Sequence, residues 1–327
     1  MARKRKQRTE EEQAPPAQHE KEEEEEEEEE EDQEADDDGD EDSDDEALNL
    51  GNAESEETLS VDFGFFDPKA SDFHGVRALL LNSSSLQSLG KSWDVSGLAD
   101  LMCEQVEVGS VAKVIGEGKE EPADDDVLGF MSAINLHTHR SARFAQELRA
   151  SLIKRCADSK TRDELTGYLA HANTGLIVSE RLVNLPAALV PSLVDSLLQD
   201  IDWASQHAEG AAACEAFRFS QLLLVAPVSL STSGGESSGA GGSSDANTSM
   251  AAPGKKKKKR ANEAADARAA LLESVAFERT EEEILAAAAD WCALLNGSGR
   301  SRQVVMLLRP AQIRDTLPAL HGAMGES

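Results

Sequence analysis

The sequence predicts an α/β fold of the mixed α+β type, with one domain of ordinary size and a separate charged tail. Segments with the alternation typical of strands are interleaved with segments whose apolar residues recur every three or four positions, as in helices. The charged tail 1–57 and a Gly/Ser- and Lys-rich stretch at 231–262 leave 173 residues between them and 65 after the second. That length suits one domain. We therefore expect a domain over 58–321, interrupted by a disordered loop at 231–262.

Strands are predicted where apolar residues alternate or form short runs between turn residues. The first covers Val61–Phe65 and ends before Pro68. Five more are expected, in chain order, over 108–115, 127–136, 175–179, 217–225 and 303–308. The last should stop at Pro310, because proline lacks the N–H group that strand pairing needs.

Helices are predicted from apolar stripes and from residues that favour helix N-termini. The clearest stripe is Phe144, Leu148 and Leu152, at a spacing of four. Other helices are expected after Ser71 or Asp72, after Ser96, at the capping boxes Thr161–Glu164 and Thr280–Glu283, and at Pro186 and Pro191. Asn296–Gly299 is expected to be a loop between a helix and the last strand. Strands and helices thus alternate along the chain.

The N-terminal tail carries most of the negative charge of the chain. Between Glu20 and Glu46 there are 22 acidic residues and one lysine, and residues 1–57 carry −22 of the total charge of −31. Such a segment cannot bury enough apolar surface to offset chain entropy, so it is predicted to be disordered. Its field favours basic proteins as partners: a ribosomal protein, with histones or a basic transport factor as alternatives. A purely solubilising role fits the acidic run as well.

Composition argues against nucleic acids and membranes as direct partners. The remainder of the chain, outside the tail and the 231–262 loop, has a net charge of −13, the wrong sign for a surface that follows phosphates. Aromatic residues make up only 4% of the chain, so platforms for stacking bases are scarce. No apolar run reaches the roughly 18 residues that a membrane-spanning helix needs.

The four cysteines indicate a reducing compartment rather than a metal or disulfide framework. Cys103, Cys156, Cys214 and Cys292 show no metal-ligand spacing, and an acidic tract follows the basic start where a secretory signal would need an apolar segment. We expect all four thiols to be buried as small hydrophobic groups.

Two short basic clusters are predicted to be nuclear import signals. The first consists of Arg3, Lys4, Arg5 and Lys6, and the second of Lys255, Lys256, Lys257, Lys258, Lys259 and Arg260. Flexible basic segments of this kind bind import receptors. The alternatives are a generic basic arm and an intramolecular partner for the acidic tail. We therefore predict nuclear localisation, with shuttling to the cytoplasm through export receptors left open. Ser43, which lies among acidic residues, is a candidate phosphorylation site.

The sequence offers no convincing catalytic or metal-binding arrangement. Gly90-Lys91-Ser92 resembles the end of a phosphate-binding loop, but Ser85 stands where the first glycine should be. His137 and His139 could share one face of a strand and chelate a metal, yet no third ligand is indicated and Arg140 would repel a cation. Two ordinary turn histidines are the alternative. We expect no enzymatic activity, no cofactor and no metal.

Several sequence blocks carry a resemblance to a known family. They are Val61-Asp62-Phe63, Phe66-Asp67, Asp72-Phe73-His74-Gly75, Val108-Gly109-Ser110-Val111, Val127–Ser132, Ile134-Asn135-Leu136 and, most specific, Gly175-Leu176-Ile177-Val178-Ser179-Glu180-Arg181-Leu182-Val183-Asn184-Leu185-Pro186. Taken in this order, they resemble the BCCIP family of nuclear proteins. The similarity covers residues 61 to about 313, and the acidic N-terminus and Lys-rich loop also resemble features of the family. The Ala-rich segment 264–290 departs from it, because the resemblance implies a more aromatic strand there.

The resemblance implies a fold similar to GNAT acetyltransferases without their activity. Relatives of this kind are linked to chaperoning a ribosomal protein of the large subunit, to nuclear export of cargo, and to cell-cycle and genome-maintenance partners. The nearest match to the pyrophosphate-binding turn of a working acetyltransferase is Gln87–Ser92, which fails at its last position. We therefore expect a carrier or adaptor; a histone-type acidic chaperone and an acyl-CoA-dependent acetyltransferase are the alternatives.

Ser179, Glu180 and Arg181 lie in the most specific block and have two interpretations. A Glu–Arg pair at the end of a strand could bind a partner. Alternatively, the three residues form a structural ion pair and cap that fix the turn from strand to helix, since a partly buried arginine usually binds local carbonyls or a carboxylate.

Overall fold

An open mixed sheet of eight strands lies at the centre of the part of the chain that the structure describes, with helices on both faces. The structure is a computed structural model that describes residues 61–86, 93–116, 122, 126–231, 265–297 and 301–325. These residues belong to one compact unit, Val61–Ser327. The predicted disorder of 1–57 and of 231–262 falls outside the described residues, apart from Ser231.

The strands are assembled from distant parts of the chain. They are β1 (Asp62–Phe66), β2 (Ser110–Ile115), β3 (Gly129–Asn135), β4 (Thr174–Arg181), β5 (Gln221–Leu230), β6 (Val275–Phe277), β7 (Trp291–Leu295) and β8 (Ser301–Leu308). Their order across the sheet is β1-β2-β3-β4-β5-β8-β7, and β6 pairs with the end of β5. All neighbours are antiparallel except β4 and β5, which are parallel.

The helices form a layer on each face of the sheet. They are α1 (Phe73–Leu81), α2 (Val95–Glu104), α3 (Arg143–Lys154), α4 (Ser159–Ala170), α5 (Val190–His207), α6 (Ala211–Ala216), α7 (265–273), α8 (Thr280–Ala288) and α9 (Pro310–Met324). Helices α1 to α4 pack in one core, and α5, α8 and α9 pack in the other. The structure therefore confirms the predicted mixed sheet flanked by helices.

The burial of β5 on both faces of the sheet explains why its sequence is a continuous apolar run. Leu223 and Val225 contact the core under α1 to α4, whereas Leu222, Leu224 and Ala226 contact the core under α5, α8 and α9. Successive residues of a strand point to opposite faces, so a strand covered on both sides is apolar at every position.

Both predicted capping boxes are wrong. Helix α4 begins at Ser159, two residues before Thr161, because the Asp158 side chain caps it by accepting a hydrogen bond from the Thr161 N–H at 2.9 Å. Helix α8 begins at Thr280 itself, with Arg279 at the N-cap and no side-chain cap hydrogen bond. Helix α2 likewise begins before Ser96, with Asp94 accepting from the Gly97 N–H.

Other differences lie in the second half of the chain. Strand β5 starts at Gln221 rather than at Phe217, because Phe217 and Phe219 pack edge to face after α6. Asn296 and Gly297 follow β7 and precede β8, so they do not join a helix to a strand. The structure adds α6, α7, β6, β7 and α9, which the sequence patterns did not reveal.

Candidate functional site

The parallel strands β4 and β5 pair over only part of their length, and a cleft opens where they separate. Thr174–Leu176 of β4 pairs with Gln221–Leu223 of β5. Beyond this point β4 stays paired with β3 as far as Arg181, and β5 stays paired with β8 as far as Ser229. Ligands of open α/β sheets bind beyond the carboxyl ends of parallel strands. This cleft is therefore the place in the sheet where a ligand would be expected.

Glu180, close to the end of β4, is the centre of a buried polar cluster in the cleft. The Ser83 hydroxyl donates a hydrogen bond to its Oε1, and its Oε2 lies 2.6 Å from Nη2 of Arg279. Arg279 also donates to the carbonyl oxygen of Ser179 at 3.3 Å. The cluster connects the loop after α1 and the turn before α8 to the same strand.

Arg181, the next residue of β4, forms a second ion pair with Glu281 in the first turn of α8. Both side chains are largely buried, with exposed fractions of 17% for Arg181 and 8% for Glu281. Glu180 and Arg181 therefore bind residues 99 and 100 positions later in the chain rather than each other. Through these two pairs β4 fixes the position of α8.

Gln303 of β8 holds the loop after α1 at the same place. Its side-chain nitrogen donates to the carbonyl oxygens of Ser84 at 3.0 Å and Ser85 at 2.6 Å, and its oxygen accepts from Arg155. Gln303 is buried, so these bonds satisfy an amide that would otherwise lose its water. The loop after α1 is thus bonded to both sides of the cleft.

A cavity of about 50 Å³ lies between the separating strands. Most of its lining is apolar and comes from β4, β5, α5, α8 and α9; the polar lining residues are Ser85, Ser179, Glu180, Arg279, Glu281 and Glu282. Small-molecule sites in proteins have volumes of roughly 300–1,000 Å³. The cavity is therefore too small for a coenzyme, but it has room for a few waters or for one slender side chain.

Glu282 is the one acid of this cluster whose pKa is strongly raised. Burial raises the pKa of its carboxyl group to about 8, and the negative charges of Glu281, Glu180 and Glu278 act in the same direction. Arg279 opposes this shift without cancelling it. Because desolvation disfavours the ionised form, Glu282 is mostly a neutral acid at pH 7.

The sequence flagged only part of this cluster. Ser179, Glu180 and Arg181 were singled out, but Ser83, Arg279, Glu281 and Glu282 were not. Thr280–Glu283 was interpreted as a capping box, and acidic residues in the first turn of a helix are also favourable through the helix dipole. Neither interpretation points to ion pairs between these residues and β4. The ion pairs Glu180–Arg279 and Arg181–Glu281 join residues about 100 positions apart, and no local sequence pattern indicates such pairs.

The other sequence candidates lie elsewhere. Arg3–Lys6, Ser43, Lys255–Arg260 and Gly90–Ser92 are outside the described residues. His137 and His139 lie in the turn that follows β3, where burial lowers the pKa of His139. Across 61–86, 93–116, 126–231, 265–297 and 301–325, no three His, Cys, Asp or Glu side chains converge as a metal site.

The cysteines are free thiols in apolar surroundings. Cys103 and Cys156 are buried, and Cys214 and Cys292 are partly buried. Burial raises the pKa of Cys103 to about 11 and that of Cys292 to about 12. Because the thiolate is the reactive species, these two side chains are poor nucleophiles near neutral pH.

Comparison with known sequences identifies the family. A sequence profile of the BCCIP family matches residues 58–285, which include the cleft-forming strands β4 and β5 and most of α8. The chain belongs to the BCCIP family. Among its BCCIP relatives, the protein BCCIP homolog of Arabidopsis thaliana is 34% identical over 177 residues, and the protein bcp1 of Schizosaccharomyces pombe is 36% identical over 159 residues.

These alignments cover 54% of this chain for the Arabidopsis relative and 46% for the Schizosaccharomyces relative. The chain spans about half the length of the curated BCCIP relatives it matches, and the share is 52% for each of these two. The crystal structure of BCP1 from Saccharomyces cerevisiae shares the fold, with a TM-score of 0.51 and 16% sequence identity over 83% of this chain and 93% of that one. Within the described residues, none of the helices is both long and apolar enough to span a bilayer.

Proposed function

We propose that this BCCIP-family chain is a non-catalytic nuclear adaptor that carries basic protein cargo, such as a ribosomal protein of the large subunit. The observation that carries the proposal is the attachment of a segment with 22 acidic residues among 27, Glu20–Glu46, to a folded BCCIP-type unit. In this function the acidic tail attracts the cargo, and the folded unit selects it. Import and export receptors, ribosome assembly and contacts with cell-cycle and genome-maintenance proteins belong to the same proposal.

Charge supports a basic cargo. A free ribosomal protein exposes positive charges that would otherwise capture nucleic acid or aggregate. The acidic tail attracts such a surface over about 8 Å, the Debye length at physiological salt, and this raises the rate of encounter. Attraction between opposite charges alone does not discriminate one basic protein from another, so selectivity has to come from the folded unit.

The geometry of the cleft supports a non-catalytic role. Where β4 and β5 separate, the ion pairs Glu180–Arg279 and Arg181–Glu281 bring α8 against the strands and leave only about 50 Å³. An acyltransferase on this fold would have to admit a coenzyme many times larger. Titration calorimetry with acetyl-coenzyme A should therefore give no binding heat, and micromolar affinity would revive the enzymatic alternative.

The decisive experiment compares the full chain with a variant that lacks residues 1–57. Both are offered a mixture of purified ribosomal proteins and histones, and association rates are measured at several salt concentrations. We expect the truncation to slow association and to flatten its salt dependence, while the order of preference among basic proteins is retained. Selectivity that disappears with the tail would instead identify a histone-type acidic chaperone.

A further inference from the structure

The cluster around the cavity contains more acidic than basic residues. Glu180 is paired with Arg279, and Arg181 is paired with Glu281. Glu282 also lines the cavity, and no ion pair is formed by it within the described residues. The cluster therefore contains one acid more than it has arginines. A buried acid without a cation of its own favours its neutral, protonated form, and a positive charge placed beside it favours the ionised form.

Two carboxylate oxygens of this cluster lack hydrogen-bond partners among the described residues. They are Oε2 of Glu281 and Oε2 of Glu282, and the two residues are only 6% and 4% exposed. Buried polar atoms are nearly always hydrogen-bonded, because an unpaired one costs about 1–3 kcal/mol. Both residues line the cavity, so a donor placed inside it would be close to acceptors that the described residues leave unsatisfied.

The rest of the cavity is suited to an alkyl chain. Leu86, Leu176, Leu198, Leu224 and Ile313 are among its lining residues, and all are buried. A ligand that matches both parts has an aliphatic stem and a compact, positively charged head with several N–H donors. Ser85, Ser179 and Arg279 line the same cavity and are partly exposed, so the cavity lies next to the protein surface.

We propose that this cavity binds a lysine side chain of the cargo, with the ammonium group between Glu281 and Glu282 and the stem along the apolar wall. The ammonium group supplies three donors on a narrow stem, whereas a guanidinium group is a wide planar fork that fits a small cavity less well. The identification of the ligand as part of a cargo protein rests on the carrier function proposed above. The complementarity to an alkylammonium group rests on the cavity alone.

Binding of this kind should release a proton. Glu282 is mostly protonated at pH 7, since burial raises its pKa to about 8. The charged groups that act on it are Glu180 on β4, Glu281 on α8, and Glu278 and Arg279 in the turn before α8. An ammonium group beside Glu282 favours its ionised form, so the proton leaves as the cation enters.

The test uses the full chain and two probes of nearly equal size, n-butylammonium and 1-butanol. Calorimetric titrations at pH 7 are run in two buffers with different ionisation enthalpies, which measures proton release. The variants are Glu282→Gln and, as a matched control, Glu283→Gln, which removes an exposed carboxylate from the same helix turn. We expect butylammonium to bind the wild type and Glu283→Gln equally, with release of close to one proton.

Glu282→Gln should bind butylammonium about tenfold or more weakly and release no proton, because its side chain cannot become an anion. Butanol should bind all three proteins alike without proton release. Thermal unfolding checks that Glu282→Gln is folded. No binding of butylammonium to the wild type, or equal binding to Glu282→Gln, would overturn the assignment.

The result of the butylammonium titration can be distinguished from the result of the test of the carrier function. If butylammonium fails to bind while the chain without residues 1–57 still selects particular basic proteins, the cavity assignment is wrong and the carrier function stands. If butylammonium binds as described but the chain shows no selectivity among basic proteins, the carrier function fails and the cargo lysine fails with it as the ligand.

Discussion

Asp72 and Lys113 form an ion pair that is buried almost completely between the start of α1 and strand β2. Lys113 Nζ lies 2.6 Å from Oδ1 of Asp72, and each residue is only 1% exposed. The other carboxylate oxygen, Oδ2, accepts a hydrogen bond from the N–H of Lys69 at 2.9 Å. The carboxylate therefore compensates a buried cation and also closes the turn that leads into α1.

Replacing Asp72 by Asn should destabilise the fold strongly, because the buried ammonium of Lys113 would lose its counter-charge. The expected loss in free energy of unfolding is about 3–5 kcal/mol. The control is Glu215→Gln, which removes the partner of Arg218 in a pair whose side chains are both 58% exposed. Exposed pairs contribute less than about 1 kcal/mol. Urea unfolding of both variants measures the difference, and equal effects would contradict the prediction.

Glu282 should make the stability of the protein depend on pH. Its pKa is about 8 in the folded chain and near 4.5 without the fold, so between these values the native state binds more protons than the unfolded state. Stability therefore falls as pH rises through this window and levels off above it. The full effect is on the order of 5 kcal/mol.

Glu282→Gln should remove this contribution. Relative to wild type, the variant should gain stability as pH rises from about 5 to about 8, because its amide cannot ionise. Urea unfolding at several pH values measures the gain, and Glu283→Gln serves as the control that should run parallel to wild type. A constant difference between Glu282→Gln and wild type across this range would show that Glu282 titrates normally.

At the scale of secondary-structure elements, the sequence predicted helices and strands correctly where buried residues recur at the period of a helix or of a strand. The stripe of Phe144, Leu148 and Leu152 lies in α3, and the alternating segment Val61–Phe65 overlaps β1. These elements bury one stripe or one face, so the pattern can be read directly. The predicted N-caps of α2 and α4 were displaced by two and three residues, because Asp94 and Asp158 cap these helices before Ser96 and Thr161 are reached.

The missed elements lack such a pattern. Strand β6 has only three residues, α6 is a single short Ala-rich helix, and α9 contains Pro318 within its span. Strand β7, Trp291–Leu295, is a short apolar run that periodicity alone cannot assign to a strand. It becomes a strand because it pairs with β8 along its whole length. Tertiary pairing, rather than local preference, decides these segments.

Gly175 belongs to the short paired part of β4 and β5 and has no room for a side chain. A Cβ atom there would lie 2.7 Å from Cδ2 of Leu222 and 2.8 Å from ring atoms of Phe219, both of which are buried. This glycine allows the parallel strands to approach on the near side of the cleft.

Gly175→Ala should destabilise the protein by about 1–3 kcal/mol through overpacking. The control is Gly167→Ala in α4, where nothing lies within 4 Å of the added Cβ. Alanine is favoured over glycine in a helix, so this control should be neutral or stabilise by up to about 1 kcal/mol. Thermal unfolding of the two variants distinguishes steric crowding from a general effect of losing glycine.

At the scale of the whole molecule, the candidate site could be predicted only in part. The sequence pointed to Ser179, Glu180 and Arg181, which lie at one end of β4. Their partners come from the loop after α1 and from α8, and only the complete sheet brings these segments together. The unbalanced acid, Glu282, can be recognised only when the ion pairs around it are known.

The proposed nuclear import involves clusters far apart in the chain, and we predict that both basic clusters contribute to it. Replacing Arg3–Lys6 and Lys255–Arg260 by Ala and Ser should shift a fluorescent fusion toward the cytoplasm, because the import receptor would lose its charged contacts. The fusion has to be too large to diffuse through nuclear pores, since the chain itself is only 35.1 kDa. Replacing each cluster alone separates their contributions. An unchanged nuclear signal in the double variant would contradict the prediction.

The position of β8 between β5 and β7 has a consequence for how the protein is made. Strand β5 pairs with β8 from Leu222 to Ser229, although about 70 residues separate the two strands in the sequence. While the chain is still being synthesised, β5 is therefore an open apolar edge, with seven of its ten residues destined for burial. Such an edge can pair with another nascent chain. Folding is completed only once Leu308 has left the ribosome, so shortened translation products that end before β8 should aggregate rather than fold.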